Sequence, residues 1–330
     1  MHRRLALLSI LTIAAGTATL PVAAAQAGAE PKPVTEEAAE TKTEQKAVTQ
    51  YWTPEKMEDA QPLNPPAPKS GAKLGAPGEP TTGVPWEAPP TSSTPVDPQA
   101  AKASSGTAWT GGGAITKTAG RVFFTYQGRN ASCSGNAVTS SNKSVVMTAG
   151  HCVKMGGAFH TNWVFVPGYD KGARPHGTWV ATKLLTTPQW DAREDINYDV
   201  AAVVVAPLQG RSLTDAVGGQ GVAFNQGRRQ QMHSFGYPAA APYDGSKLIY
   251  CSGRAFDDFL MSKDHGLTCN MTGGSSGGPW FVSFDEKTGL GTQNSVNSFK
   301  YNFAPNWMFG PYFGTEAQAV YNAAQNTNAL

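Results

Sequence analysis

Downstream of Ala108, apolar residues gather in short runs separated by clusters of Gly, Pro and Asn. Residues 121–127 are rich in Val, Phe and Tyr; 144–147, 162–167 and 177–185 follow in the same manner. Residues 200–206 form an unbroken small-apolar run before Pro207. Further runs lie at 221–224, 231–237, 248–252, 267–270, 279–284 and 295–301. Short β-branched and aromatic runs punctuated by turn residues predict strands, and many in succession predict an all-β barrel or sandwich. The pattern changes only at the end. Thr315-Glu316-Ala317-Gln318 has the spacing of a capping box and predicts a final helix of about ten residues.

The upstream third follows neither pattern. Met1-His2-Arg3-Arg4 is basic, 5–20 is apolar, and Pro21-Val22-Ala23-Ala24-Ala25-Gln26-Ala27 offers small residues for cleavage. This predicts a secretory signal peptide over 1–27. The apolar run contains Gly16 and threonines and is short for a membrane span of ~20 residues. Residues 28–107 are dominated by Pro, Ala, Thr, Glu and Lys, with no apolar period. Such a stretch cannot bury enough surface to offset its ordering entropy, so it is expected to be a pro-segment or linker, mostly disordered. Glu36-Glu37-Ala38-Ala39-Glu40 is a candidate short helix within it. Tyr51, Trp52 and Trp86 are isolated aromatics that either dock on the following domain or touch nothing. Residues 108–330 form the globular domain.

Export permits disulfides, and the four cysteines, Cys133, Cys152, Cys251 and Cys269, allow three pairings. Neither CxxC nor HExxH occurs, so no metal and no cofactor is expected. A net charge of +2, with scattered Lys and Arg, gives no reason to expect a nucleic-acid partner. The chain is expected to be extracellular, monomeric and free of membrane once the signal is removed.

Chemistry concentrates in Thr272-Gly273-Gly274-Ser275-Ser276-Gly277-Gly278-Pro279. Glycines around one hydroxyl permit unusual backbone angles and close approach of a carbonyl. Ser276 is the candidate nucleophile, and the N–H groups of Gly274 and Ser276 are candidate oxyanion donors. A serine needs a base held by a third group. His151, in Thr148-Ala149-Gly150-His151-Cys152, is the candidate base. His160, His176, His233 and His265 lack that small-residue turn and are expected at the surface or in packing roles. Asp199 is the candidate orienter, because it directly precedes the apolar run where a carboxylate must have a partner. Asp191 and Asp195 are expected to face water.

The order His, Asp, Ser, with the TAGHC and GxSGGP segments, resembles the chymotrypsin-like serine peptidases, nearest to their secreted bacterial branch. The resemblance covers roughly residues 108–330. It implies two six-stranded antiparallel β-barrels with the active cleft between them, divided here near 209–219, and the C-terminal helix after them. It also implies a Cys133–Cys152 bridge pinning the His151 loop, which leaves Cys251 with Cys269. Closing the first loop is worth ~3 kcal/mol in a chain-entropy account. The implied activity is a secreted serine endopeptidase working through an acyl-enzyme on protein or peptide substrates.

Two departures matter. Ser275 stands where many animal members carry an aspartate that pairs with a freed N-terminal amine, and it has no charge to offer. Removal of the pro-segment is therefore expected to act by unblocking the cleft. The implied specificity pocket is lined by Asn270 and Met271 and edged by Ser298 and Lys300. Without an aspartate it has no partner for Lys or Arg. Lys300 either attracts an acidic side chain, as in glutamyl-specific relatives, or is a solvated lysine; those relatives often have a histidine where this chain has Asn297. A dedicated processing peptidase, and a non-catalytic secreted binding domain on a peptidase fold, are the alternatives.

Overall fold

The computed structural model describes residues 31–64, 78–91 and 103–329. The expected signal peptide lies outside the described residues. Six strands build a closed barrel in the first half of the domain: β1 (Ala119–Tyr126), β2 (Arg129–Val138), β3 (Val145–Thr148), β4 (Thr161–Pro167), β5 (Trp179–Thr186) and β6 (Ala201–Val205). Every neighbouring pair is antiparallel, and β5 pairs with both β4 and β6 to close the ring. The Ala-Ala-Val-Val-Val sequence of β6 is buried along its whole length, which explains its unbroken apolar character.

The second half of the domain is built from two sheets. β7 (Gly221–Phe224), β8 (Gln231–Gly236), β9 (Ile249–Arg254), β11 (Pro279–Asp285) and β12 (Leu290–Val296) lie in one sheet. β10 (His265–Thr268) and β13 (Trp307–Gly310) belong to a second, smaller one. The β7–β12 pair is parallel. The Cys251–Cys269 disulfide ties β9 to the residue following β10, inside a core that includes Met232, Leu267, Met271 and Trp280. Residues 297–301, expected to continue the last strand, leave the ladder after Val296.

The final helix spans Thr315–Gln325, but its N-cap is Gly314 and no side chain caps it. The hydroxyl of Thr315 is buried with no partner among the described residues. Glu316 instead accepts from the Thr81 N–H and hydroxyl of the upstream segment, a tertiary use that local spacing cannot reveal.

Upstream of residue 108, the described residues carry several defined elements. Val34–Glu37 forms a strand, not a helix, antiparallel to β5. It continues the side of β5 that β4 leaves after Trp179 and Val180, so the barrel supplies an open edge. The helix Lys42–Tyr51 follows, with a capping box between Thr41 and Glu44. Trp52 then docks on the barrel, 2% exposed, with its indole Nε1 donating to Asn162 O at 2.6 Å. Met57 and Leu63 are also buried, each worth roughly 1.5–3 kcal/mol. Trp86 packs between Phe224 and Tyr321 of the domain. Among its described residues the segment has no core of its own; its buried apolar side chains join clusters built mainly by the domain.

Candidate active site

β3 delivers the chain into a single 3₁₀ turn, Gly150–Cys152, that carries His151. The Cys133–Cys152 disulfide fastens this turn to the middle of β2. His151 and Asp199 are both fully buried, with Nδ1 2.8 Å from Asp199 Oδ2. The carboxylate also accepts the His151 backbone N–H at 2.7 Å through Oδ1 and the Ser298 hydroxyl at 2.5 Å through Oδ2. Ionised Asp199 only accepts, so Nδ1 carries the proton and Nε2 is the basic nitrogen.

Asp199 is set by the short turn Ile196–Tyr198, whose N-cap is Asp195. Asp195 does not face water as expected. Its side chain is 6% exposed and bonds Asn197 and Arg193. Asp191 is ion-paired with Lys154. Each of the three aspartates thus has separate work, and only Asp199 meets an imidazole. Burial holds the Asp264 carboxyl well above the usual range, helped by the nearby charges of Asp258 and Asp199.

Ser276 sits on the loop after residue 272. Gly274 has φ +93°, a conformation costly for any residue with a Cβ. A Cβ on Gly277 would lie 2.0 Å from Thr148 Oγ1, so glycine lets the serine loop press against the strand that leads to His151. Ser276 O accepts from Ser134 N at 2.7 Å, joining the loop to β2. Among the described residues, neither the Gly274 nor the Ser276 N–H has an acceptor. Free, paired donors beside a hydroxyl are what a developing oxyanion requires.

The Ser276 hydroxyl does not bond His151 here. It donates to Leu63 O at 3.4 Å, while His151 Nε2 is buried with no partner among the described residues. The upstream segment therefore reaches the proposed nucleophile itself.

Ser275 closes the loop locally, donating its hydroxyl to Thr272 O at 2.8 Å. Asn297, which sequence reasoning left without a role, holds the loop together. Its Oδ1 accepts from Ser234 Oγ and Trp280 Nε1, both at 2.7 Å, and its Nδ2 donates to Phe235 O and Ser275 O. His160, expected at the surface or in a packing role, packs behind the site. Its Nε2 donates to His151 O at 2.8 Å, its ring stacks on Phe124, and burial pushes its pKa down to about 4. No local motif marks either residue; their partners are distant in sequence.

A cavity of about 640 Å³ adjoins Ser276, lined among others by Asn270, Thr272, Ser298 and Lys300. Asn270 accepts from Tyr243 OH at 2.6 Å. Met271 does not line it: the side chain is buried in the second core, and only its carbonyl serves, accepting from Lys300 Nζ at 2.9 Å. Ser298 borders the cavity while bonding Asp199. Lys300 has no carboxylate partner among the described residues, and burial pushes its pKa down to about 8.

No family model matches the chain, and no curated protein does. Solved structures do. The protease Anisep from Arthrobacter nicotinovorans is 48% identical, with 64% of this chain and 96% of that one covered and a TM-score of 0.61. The thermostable serine protease AL20 from an extremophilic microorganism is 45% identical, with 65% and 100% covered and a TM-score of 0.62. A Glu endopeptidase at 15% identity, covering 67% and 97% with a TM-score of 0.51, shares the fold. With near-half identity over almost the whole of two proteases, and with the barrel and the buried histidine–aspartate pair above, the chain belongs to the chymotrypsin-like serine proteases and is a serine endopeptidase.

Proposed function

We propose that the chain is exported behind a cleaved signal peptide, made as a zymogen, and hydrolyses peptide bonds through Ser276, His151 and Asp199. The reading is carried by His151: one ring nitrogen is held by a buried carboxylate, and the other is buried and has no partner among the described residues. Once Leu63 withdraws, Nε2 accepts the Ser276 proton as Oγ attacks the substrate carbonyl. The carbonyl oxygen becomes an oxyanion received by the Gly274 and Ser276 N–H groups. His151 then protonates the leaving amine, leaving an acyl ester on Ser276, and water hydrolyses the ester by the same route.

A fluorophosphonate probe tests this. With the upstream segment removed, label is expected on Ser276 by peptide mapping and absent in His151→Ala. Replacing Ser276 should lower turnover by ~10⁶. Label elsewhere, or label independent of His151, overturns the assignment.

Lys300 favours a finer reading, a preference for acidic side chains at the residue whose carbonyl is attacked. A half-buried ammonium with only a carbonyl for company is short of a counter-charge, and an incoming carboxylate would supply it.

A further inference from the structure

We infer that Arg121 is a positioning residue for the oxyanion donors, acting through the loop 237–245. The inference rests on the Gly274 N–H being one of those donors. The turn that carries it has little to hold it from within, since Ser275 is uncharged and its hydroxyl bonds back to Thr272 O. Asn297 secures the turn at Ser275 O. At Gly273 and Gly274 the hold comes from the loop.

Gly273 O accepts from Ala239 N at 2.6 Å and from Ala240 N at 3.2 Å. A trans peptide is planar, so its C=O and N–H point opposite ways. Two donors on Gly273 O therefore aim the Gly274 N–H away from the loop, and that N–H has no acceptor among the described residues. Thr272 Oγ1 adds a bond to Ala240 O at 2.5 Å. The fit is close: a Cβ on Gly274 would lie 2.9 Å from Ala239 N and from Tyr237 O. The next peptide is held through Ser134, whose hydroxyl donates to Gly274 O and accepts the Tyr237 N–H, both at 2.9 Å.

The loop in turn needs a foundation. It contains no helix or strand, and Gly245 N closes it on Pro238 O at 2.7 Å. Arg121 lies against this closure: a Cβ on Gly245 would lie 3.0 Å from Arg121 Cζ and Nη1 and from Ala239 Cβ. The guanidinium is buried, 4.6 Å from the Phe123 ring centroid and 5.0 Å from that of Tyr169. Tyr169 meets Tyr237 edge-on at 6.2 Å, so the first residue of the loop rests on the same stack. Nη2 donates to Ser132 Oγ at 2.9 Å. Among the described residues no carboxylate pairs with Arg121, and Nε has no partner. A buried cation without a counter-ion is costly, and two aromatic faces offset part of that cost. Its planar fork suits such a stack, where a lysine would not. Arg121 does not line the substrate cavity, so its effect on the chemistry passes through the loop.

The test activates the full chain by limited proteolysis upstream of residue 108 and compares wild type with Arg121→Met and Gly245→Ala. The first removes the guanidinium; the second drives a methyl between it and Ala239. The readouts are kcat and KM on a chromogenic peptide, and the inhibition constant of a peptidyl trifluoromethyl ketone. Ser276 Oγ adds to that ketone as its proton passes to His151, placing an oxyanion on the Gly274 and Ser276 N–H groups. Each variant should lose at least about tenfold in kcat and bind the ketone weaker by the same factor, with KM within about twofold, a part of the ~10²–10³ that one whole donor supplies. The acid limb of kcat/KM against pH should stay in place, because His151 keeps its carboxylate. In the double variant the two losses should not add, since both act on one contact. Near-ultraviolet circular dichroism checks folding, and if Arg121→Met does not fold, Gly245→Ala decides alone. Wild-type kcat in either folded variant overturns the inference, as do additive losses. A loss of kcat with ketone affinity unchanged, or with the acid limb shifted, overturns it too, because the route would then bypass the oxyanion donors. A ketone that fails to inhibit wild type overturns the oxyanion assignment itself and the inference with it.

Discussion

The Ser298 hydroxyl donates to the same oxygen of Asp199 that faces His151 Nδ1. One carboxylate oxygen therefore serves both, and the hydroxyl fixes where the lone pairs point. Ser298→Ala removes a hydrogen bond to a buried charge, worth ~1.5–3 kcal/mol. We expect kcat to fall roughly tenfold or more with KM nearly unchanged, because the histidine is misaligned while the substrate cavity keeps its shape. Steady-state kinetics on a chromogenic peptide checks the split; a change confined to KM would assign Ser298 to the cavity wall alone.

Lys300→Met should invert the preference at the cavity. Losing a charge-assisted contact of a few kcal/mol lowers kcat/KM for a glutamyl substrate by about 10² and leaves an alanyl substrate within severalfold. Parallel assays with glutamyl, alanyl and lysyl peptides read this out. Unchanged ratios would make Lys300 a structural lysine.

His265 is fully buried, with neither ring nitrogen bonded among the described residues, and desolvation pushes its pKa down to about 3. Between that value and the unfolded 6.5, the unfolded chain binds the extra proton. Its contribution to stability is therefore complete above pH 6.5 and is lost as pH falls. In His265→Gln, the slope of stability against pH between 4 and 6 should be shallower by about 1.4 kcal/mol per pH unit. Asp264 acts oppositely: its raised pKa makes stability decline as pH rises from 3.8, so the comparison with wild type is what isolates His265. Urea denaturation at several pH values measures it, and identical slopes would show that His265 does not titrate on unfolding.

Asn297→Leu strands two donors, Ser234 Oγ and Trp280 Nε1, and takes one donor from the carbonyls of Phe235 and Ser275, the latter keeping the Gly278 N–H. With each orphaned buried group costing ~1–3 kcal/mol, a loss of several kcal/mol and of Ser276 labelling is expected. Thermal unfolding of the two proteins side by side decides it; a melting temperature within a degree would remove Asn297 from the loop's support.

The site residues named from sequence carry local marks. Ser276 lies among glycines that the loop geometry requires, and Asp199 abuts a run that is wholly buried. The strands were legible because turn residues bound them. What escaped depends on encounters between distant positions. Asn297 is one polar residue among many until Ser234, Phe235, Ser275 and Trp280 surround it. The upstream segment was judged by whether it could bury its own surface, but Trp52, Met57 and Leu63 are buried by the barrel. Composition reports what a stretch can do alone and is silent about a surface waiting elsewhere in the chain. The register of β7 against β12 was unreadable for the same reason, since a two-residue parallel contact leaves no periodic trace.

Cys133 and Cys152 are wholly shielded from solvent. A reductant acts by thiolate attack on sulfur and so needs access that the folded barrel denies. The bridge behind His151 is consequently fixed during maturation. A molecule that reaches its native state oxidised should keep the base anchored in surroundings that would reduce an exposed bond, surrendering it only when that part of the barrel opens.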